Sequence, residues 1–120
     1  MADRILTWYL ETLTGDGTNQ GPSYVLDQSY TPNSVRVHAK RAPGYNSLRV
    51  DIKADGISIF PAAIRAGVAG VPSVQKGSQL EDHWDSFADA PTLAEFTVVT
   101  LDVLDSGGAS GITVTLELDT

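Results

Sequence analysis

The two histidines of the chain, His38 and His83, are the first candidates for metal binding or acid–base chemistry. His83 lies beside Asp82 and Asp85, and all three are residue types that can bind zinc. On a helix, consecutive side chains point in different directions, so these three would not converge on one ion. His38 alternates with basic residues, which repel a cation. We therefore predict no metal site.

Two loops combine aspartate with glycine, GDGTNQG at 15–21 and DVLDSGGASG at 102–111. Neither has the alternating oxygen ligands and closing glutamate of a calcium loop, and Asp, Asn and Gly are common turn residues. Ser110 is followed directly by Gly111, so the spacing of a nucleophile elbow fails as well. We predict that both loops are turns.

The remaining candidates for acid–base catalysis are carboxylates, which are abundant in this chain. Asp102, Glu117 and Asp119 occupy the polar positions of predicted strands, where a hydrated sheet face is expected. No glycine-rich phosphate loop, Cys/His pair or triad-like set of residues is present in the sequence. The sequence therefore predicts a protein that is not an enzyme and that needs no catalytic residue and no cofactor.

Length and composition limit the possible classes of protein. We expect one domain over residues 1–120, because a chain of this length can bury about two-thirds of its unfolded surface. It has no cysteine, no apolar run long enough to span a membrane and no secretory signal pattern, so we expect a soluble cytosolic product. A net charge of −7 disfavours nucleic acid as a partner.

Charge is unevenly distributed along the sequence. Six of the eight basic residues lie between positions 36 and 65, whereas nine acids and no Lys or Arg follow from Gly77 onward. Such asymmetry can orient a protein against a charged partner.

The stretch 46–60, NSLRVDIKADGISIF, predicts a β-hairpin. Apolar and polar residues alternate on both sides of an Asp-Gly pair, which favours the positive φ angles of a two-residue turn. A turn at this pair places Ala54 opposite Ile57 and Ile52 opposite Ile59. The apolar residues of both strands should then share one face.

Most of the remaining sequence also has the alternation of strands. We predict strands over 4–13, 23–30, 34–40, 94–105 and 112–119, with the last two forming a second hairpin around SGGASG. Residues 61–77 are interpreted as an extended connection. One short helical loop is predicted over 78–90, because Ser78 and Glu81 form a possible capping box and Pro91 follows. About seven strands favour an all-β fold, an antiparallel sandwich of jelly-roll type, with a barrel as the alternative.

Two linked segments resemble a small β-sandwich module of tailed-bacteriophage virion proteins. They are YTPNSVRVHAKRAPGYNSLRVDIKADGISIF and, after an Ala/Gly-rich connection, VVTLDVLDSGGASGITVTLELD. The matching positions are Ala42-Pro43-Gly44, Val50 to Ile52, Asp55-Gly56, Phe60, Thr100 to Asp105, Gly107, Gly111 and Thr113 to Leu116, with TWYL at Thr7 to Leu10. The chain departs from the module at Leu93-Ala94-Glu95, where the family often has Gly-Asp, and at the more elaborate segment Gln79 to Ala90.

The resemblance implies a structural protein of the virion, made in the host cytoplasm. We expect a capsid decoration (minor capsid) protein that binds the major capsid protein and self-associates, for example as a trimer. A minor tail or tail-tip protein is the alternative within this class. A module that binds carbohydrate or a receptor, such as a host-surface glycan, is the alternative of another class, for which Tyr24, Tyr30, Tyr45 and Trp84 are available aromatics.

Two groups of residues are the candidate interface. The N-terminal strand, with residues 1–14 as a possible interface arm, is apolar on both faces, so one face needs a cover. A basic stripe would form if 34–40 pairs with 47–54. The candidates are Ile5, Trp8, Tyr9, Leu10 and Trp84 among the apolar residues, and Arg36, His38, Lys40, Arg49 and Lys53 in the basic stripe. For Trp8 a core position is the alternative, and for the stripe an ordinary hydrated sheet face.

Overall fold

The structure of the chain is a computed structural model. The structure describes residues 3–11, 20–60, 73–74, 77, 81–84 and 92–120. In these ranges it contains nine strands: β1 (Arg4–Leu10), β2 (Tyr24–Val25), β3 (Thr31–Arg41), β4 (Leu48–Ala54), β5 (Ile57–Ser58), β6 (Ser73–Val74), β7 (Glu81–Trp84), β8 (Val98–Asp105) and β9 (Ser110–Asp119).

The strands form two sheets in which all pairings are antiparallel. The first sheet has the order β1-β9-β3-β7, and the second has the order β2-β8-β4-β5 with β6 also paired to β4. This arrangement confirms the predicted all-β, sandwich-like fold.

The core lies between the two sheets and follows from alternation along each strand. In β3, Val35, Val37 and Ala39 are buried while the residues between them are exposed. The same alternation buries every second residue along most of β9, and β4 and β8 contribute further aliphatic side chains from the opposite sheet. Because each sheet has one apolar face, packing these faces together removes both from water.

The turn of the predicted β4–β5 hairpin is confirmed. Asp55 and Gly56 have φ angles of 50° and 83°, and Ala54 pairs with Ile57. The Ile59 amide also donates a hydrogen bond of 3.0 Å to the Ile52 carbonyl. The prediction that Ile57 shares the buried face of the hairpin was wrong. Its side chain is 72% exposed, because it directly follows the turn at the end of the sheet.

The predicted C-terminal hairpin was wrong. β8 pairs with β2 and β4 in the second sheet, whereas β9 lies between β1 and β3 in the first. Residues 106–109 therefore cross from one sheet to the other, and the Gly44 amide donates to the Gly107 carbonyl at 2.8 Å in this crossing. Alternation shows which face of a strand is buried but not which sheet the strand joins, so the sequence pattern suited both arrangements.

The predicted helix was also wrong where the structure describes it. Glu81–Trp84 is strand β7, paired with β3 at the edge of the first sheet. Residues 35–38 of β3 offer backbone hydrogen-bond partners to this segment, and this long-range pairing outweighs the local capping pattern. Positions 78–80 and 85–90 lie outside the described residues, as does most of the predicted connection over 61–77, where Ser73–Val74 is strand β6.

The predicted strand over 23–30 is shorter than expected. β2 covers only Tyr24–Val25, and Tyr30 then forms an isolated bridge with Leu93. Leu26, between them, is fully buried in the core.

Candidate interaction surface

The outward face of the first sheet brings together two groups of candidates that lie far apart in sequence. β9 runs between β1 and β3, so residues of β1 and β3 face each other across it. Tyr9, Thr113 and His38 form one row across the three strands by their pairing register. Directly opposed side chains in such a row lie about 4.5–5.5 Å apart at Cβ. We call this face, formed by the outward residues of β1, β9 and β3, the β1–β9–β3 face.

The apolar part of the β1–β9–β3 face is on β1. Ile5 and Tyr9 are 55% and 51% exposed, although both are large apolar side chains. Leu10 is half-buried against the core. Within the described residues β1 pairs only with β9, so it forms an edge of the sheet. The prediction that this strand is apolar on both faces is confirmed, and its outward face is uncovered.

Trp8 belongs to the core and not to this surface. Its side chain is 0% exposed, and the indole Nε1 donates a hydrogen bond of 2.7 Å to the carbonyl oxygen of Pro22. Its ring meets that of Tyr24 edge-to-face with centroids 5.3 Å apart, and the Tyr24 hydroxyl donates to the Thr7 carbonyl. Trp8 therefore packs between β1 and the segment that contains β2. Of the two predictions for this residue, the core position is correct and the interface position is wrong.

The basic part of the β1–β9–β3 face is on β3. Arg36, His38 and Lys40 alternate with the buried residues of that strand and are exposed. Arg36 borders a hollow of about 90 Å³ that is also lined by Ser34, Thr115 and Glu117. In this hollow the Ser34 hydroxyl donates a hydrogen bond to the Glu117 carboxylate. The hollow is small and polar, and two of its lining residues are hydrogen-bonded to each other.

The predicted five-residue basic stripe does not exist. β3 pairs with β9 and β7, whereas β4 pairs with β8, β5 and β6, so Arg49 and Lys53 lie on the second sheet. The chain between β3 and β4 crosses the sandwich instead of forming a hairpin. Three of the five residues, Arg36, His38 and Lys40, therefore share a surface.

Lys53 has a partner within its own sheet. Its Nζ lies 2.8 Å from Oδ2 of Asp102, and this carboxylate raises the pKa of Lys53 above its usual range. Asp102 is buried, so the expectation of a hydrated position was wrong for this residue. Asp51, directly opposite Asp102, is buried too and accepts a hydrogen bond of 2.6 Å from the Ser58 hydroxyl. We interpret this cluster as a structural ion pair with supporting hydrogen bonds.

Trp84 and His83 are placed only by their backbone. In β7, Trp84 is paired with Val35 and His83 with Arg36. The side chains of β7 lie outside what the structure describes. In the described part of the chain, no group of three or more His, Asp or Glu side chains could hold a metal ion.

Comparisons with known proteins give no relative for this chain. No protein-family model matches it, and neither a curated protein nor a solved structure matches it significantly. Among the described residues, no helix has the length and apolar character needed to cross a membrane.

Proposed function

We propose that the protein is a non-enzymatic structural subunit of a tailed-bacteriophage virion, a capsid decoration protein that binds the head lattice and self-associates. Two things support this: the resemblance to virion modules over nearly the whole sequence, and a sandwich-like fold of the kind that the resemblance implies. The proposed location is the virion, and the proposed partners are the major capsid protein and further copies of the chain.

The observation that supports docking best is the exposed apolar side of β1. Ile5 and Tyr9 project from an edge strand, and both are more than half exposed. Exposed apolar side chains on a sheet edge favour association, and aromatic residues are enriched in the cores of protein interfaces. The neighbouring Thr113 and Thr115 are half-buried and polar, and Arg36 adds charge at the rim. An apolar edge strand that is flanked by polar and charged residues suits a protein partner.

Attachment to particles that lack the protein tests this proposal. Purified wild-type chain should co-sediment with such particles and dissociate in high salt, because charged groups at a rim are screened. Ile5→Ser and Tyr9→Ser together should reduce attachment at least about tenfold. Leu104→Ser is the matched control, because Leu104 is also an exposed apolar residue but lies on the second sheet. Equal attachment by all three proteins would contradict docking through β1.

The tail alternative uses the same fold and surface with a different partner. A minor tail protein would attach to purified tails and not to heads. Separate sedimentation with heads and with tails distinguishes the two positions.

One observation favours a carbohydrate-binding function as the second candidate. The half-exposed ring of Tyr9 lies in the same row as Thr113 and His38, so an aromatic surface adjoins groups that can hydrogen-bond. Sugar rings stack on such aromatic side chains, and neighbouring polar groups orient them. If this function is correct, soluble host-surface polysaccharide should compete with the binding of the protein to host cells. The Tyr9→Phe variant, which keeps the ring, should bind the polysaccharide, and the Tyr9→Ala variant should not.

A further inference from the structure

We infer that copies of this chain associate head-to-tail, with an apolar, acid-rimmed groove at one end of the sandwich receiving the basic, tyrosine-bearing end of a second copy. The inference rests on the self-association included in the proposed function and specifies the two surfaces that would meet. The two surfaces lie at the ends of the sandwich and share Lys40 with the β1–β9–β3 face.

The topology defines the two ends. The β3–β4 and β8–β9 connections lie at one end of the sandwich, because Arg41 pairs with Ser110 and Arg49 with Asp105. The β4–β5 turn and the C-terminal residues of β9 lie at the other. We call the first the basic end and the second the acidic end, for the charges described below.

The groove is at the acidic end, between the β4–β5 turn and residues 92–97. It encloses about 350 Å³, and its lining includes the apolar residues Ile57, Ile59, Leu93 and Ala94. Ile57 lines this groove and is 72% exposed. The groove therefore presents uncovered apolar surface of a size that could take one aromatic side chain.

Phe96 projects from the turn that forms one wall of the groove, and its backbone is strained. Its φ angle is +69° and its side chain is 71% exposed. The turn is held by a hydrogen bond of 3.2 Å from the Thr97 amide to the Ala94 carbonyl and one of 2.8 Å from the Phe96 amide to the Leu26 carbonyl. A bulky residue at positive φ is unfavourable for folding, and here it gains no burial in return. Contact with a partner accounts for a phenylalanine at this position.

The charges around the groove are mainly negative. Asp55 and Glu95 are exposed at its rim. Asp27 lies at the same end and forms an ion pair of 2.7 Å with Arg4. Asp3 also lies there and accepts hydrogen bonds from Thr120. The basic side chains that the structure describes near this end are Arg4 and Lys53, and each is paired with a carboxylate, Arg4 with Asp27 and Lys53 with Asp102. The exposed acids at the rim therefore favour a basic partner.

The opposite end has the complementary chemistry. Tyr45, in the β3–β4 connection, is 63% exposed, and its ring lies over Gly108, where an added Cβ would be 2.9 Å from the ring. Lys40 and Arg41 are exposed at the same end, at the last residues of β3. Two acids lie at this end as well: the Asp105 carboxylate accepts a hydrogen bond of 2.9 Å from the Gly107 amide, and the exposed Glu11 lies beside Gly111, whose amide donates to the Glu11 carbonyl at 2.9 Å. The basic end therefore presents an exposed aromatic ring beside Lys40 and Arg41.

The acidic end of one copy is complementary to the basic end of another, whereas two identical ends are not complementary to each other. Two acidic ends would repel, as would two basic ends, whereas an acidic end and a basic end attract and can bury Tyr45 beside Ile57 and Phe96. A contact between two different patches of one chain is heterologous. It closes into a ring, such as a trimer, when the rotation between copies allows, and otherwise continues as a filament.

Mixing two defective variants tests this inference directly. Phe96→Gly removes the exposed ring beside the groove, and glycine fits the positive φ angle, so this variant should fold. Tyr45→Ala impairs the basic end. By sedimentation velocity, the wild-type chain should form concentration-dependent oligomers that weaken with salt, and each variant alone should have a dissociation constant raised at least about tenfold. An equimolar mixture should form a dimer and nothing larger, because one intact interface remains per pair.

Charge reversal provides a second, independent measurement. Glu95→Lys and Arg41→Glu should each weaken association, whereas a mixture of the two should restore it, because the introduced lysine of one variant then meets the introduced glutamate of the other and the unchanged Glu95 meets the unchanged Arg41. A double variant with both changes should also associate. A wild-type chain that stays monomeric at its highest soluble concentration overturns the inference, and so does a mixture of Phe96→Gly and Tyr45→Ala that forms no dimer. Particle attachment by Phe96→Gly is measured separately, so failure of self-association is distinguishable from failure of the proposed function.

Discussion

Truncation of Trp8 tests whether this residue stabilises the sandwich or contacts a partner. The side chain is fully buried, and the indole makes one hydrogen bond and one edge-to-face contact within the chain. Burial of about 150–250 Å² at about 25 cal/mol per Å² corresponds to about 4–6 kcal/mol, and truncations of this kind typically lower stability by about 3–5 kcal/mol. We expect Trp8→Ala to lose at least about 4 kcal/mol, since the hydrogen bond to Pro22 adds about 1 kcal/mol.

A loss of this size is about a quarter to two-thirds of the free energy of unfolding of a chain this long, which is about 6–18 kcal/mol. Trp8→Phe is therefore the more informative variant, because it keeps a ring in the core and should lose only about 1–3 kcal/mol. Urea denaturation followed by far-ultraviolet circular dichroism measures both, with Tyr9→Ala as the surface control, which should change stability by less than about 1 kcal/mol. If Trp8→Ala unfolded at the wild-type urea concentration and lost only particle attachment, the core assignment would be refuted.

Three further predictions concern the sandwich itself. Gly107→Ala should lower the free energy of unfolding by at least about 3 kcal/mol, because the added Cβ would lie 2.0 Å from a backbone oxygen of the facing connection and the φ angle of this residue is 60°. The control is Gly44→Ala, which has open space around it and should change stability by less than about 0.5 kcal/mol. The hydroxyl of Tyr30 holds the pKa of Asp27 below its ordinary 3.8, so this carboxylate stabilises the fold above pH 3.8 and the contribution is lost as pH falls through the folded pKa. Urea midpoints for Asp27→Asn should accordingly fall less than those of the wild type on acidification below that pH, and an equal fall would contradict the assignment. Lys53→Met should lower the urea midpoint at neutral pH by leaving a buried carboxylate without its lysine, and an unchanged midpoint would mean that the ion pair contributes nothing.

The sequence was sufficient for the features that depend on local chemistry. The Asp55-Gly56 turn was predictable because few residue pairs accept positive φ at both positions, and the inward faces of β3, β8 and β9 were predictable because alternation has a period of two. The double-sided apolar character of β1 was predictable for the same reason.

Features that depend on long-range pairing were not predictable. The assignment of β8 and β9 to different sheets has no signal in the alternation of either strand, and the division of the basic residues between two sheets follows from the same kind of crossing. In the structure Gly107 marks the crossing, because its φ angle is positive and it has no room for a side chain beside the facing backbone, but in the sequence a glycine at this position fits a hairpin loop equally well. In β7, backbone pairing with the edge of β3 outweighs the local sequence pattern that predicts a helix.

The candidate site was predictable only in part. Ile5 and Tyr9 were identified from the two apolar faces of one strand, and the structure leaves both exposed. Phe96 was missed because its exposure depends on a turn with positive φ that the sequence does not indicate, and a phenylalanine in an apolar stretch is usually assigned to the core. The burial of Asp102 was missed because a polar position on a strand normally faces water.

The most direct test of the proposed function is electron microscopy of purified phage particles labelled with a gold-conjugated antibody against this protein. We predict label distributed over the head, at a density that is lost when particles are stripped of the protein and regained when it is added back. Label confined to the tail would contradict capsid decoration, and particles without label, prepared from cells in which the protein is present, would contradict a role in the virion.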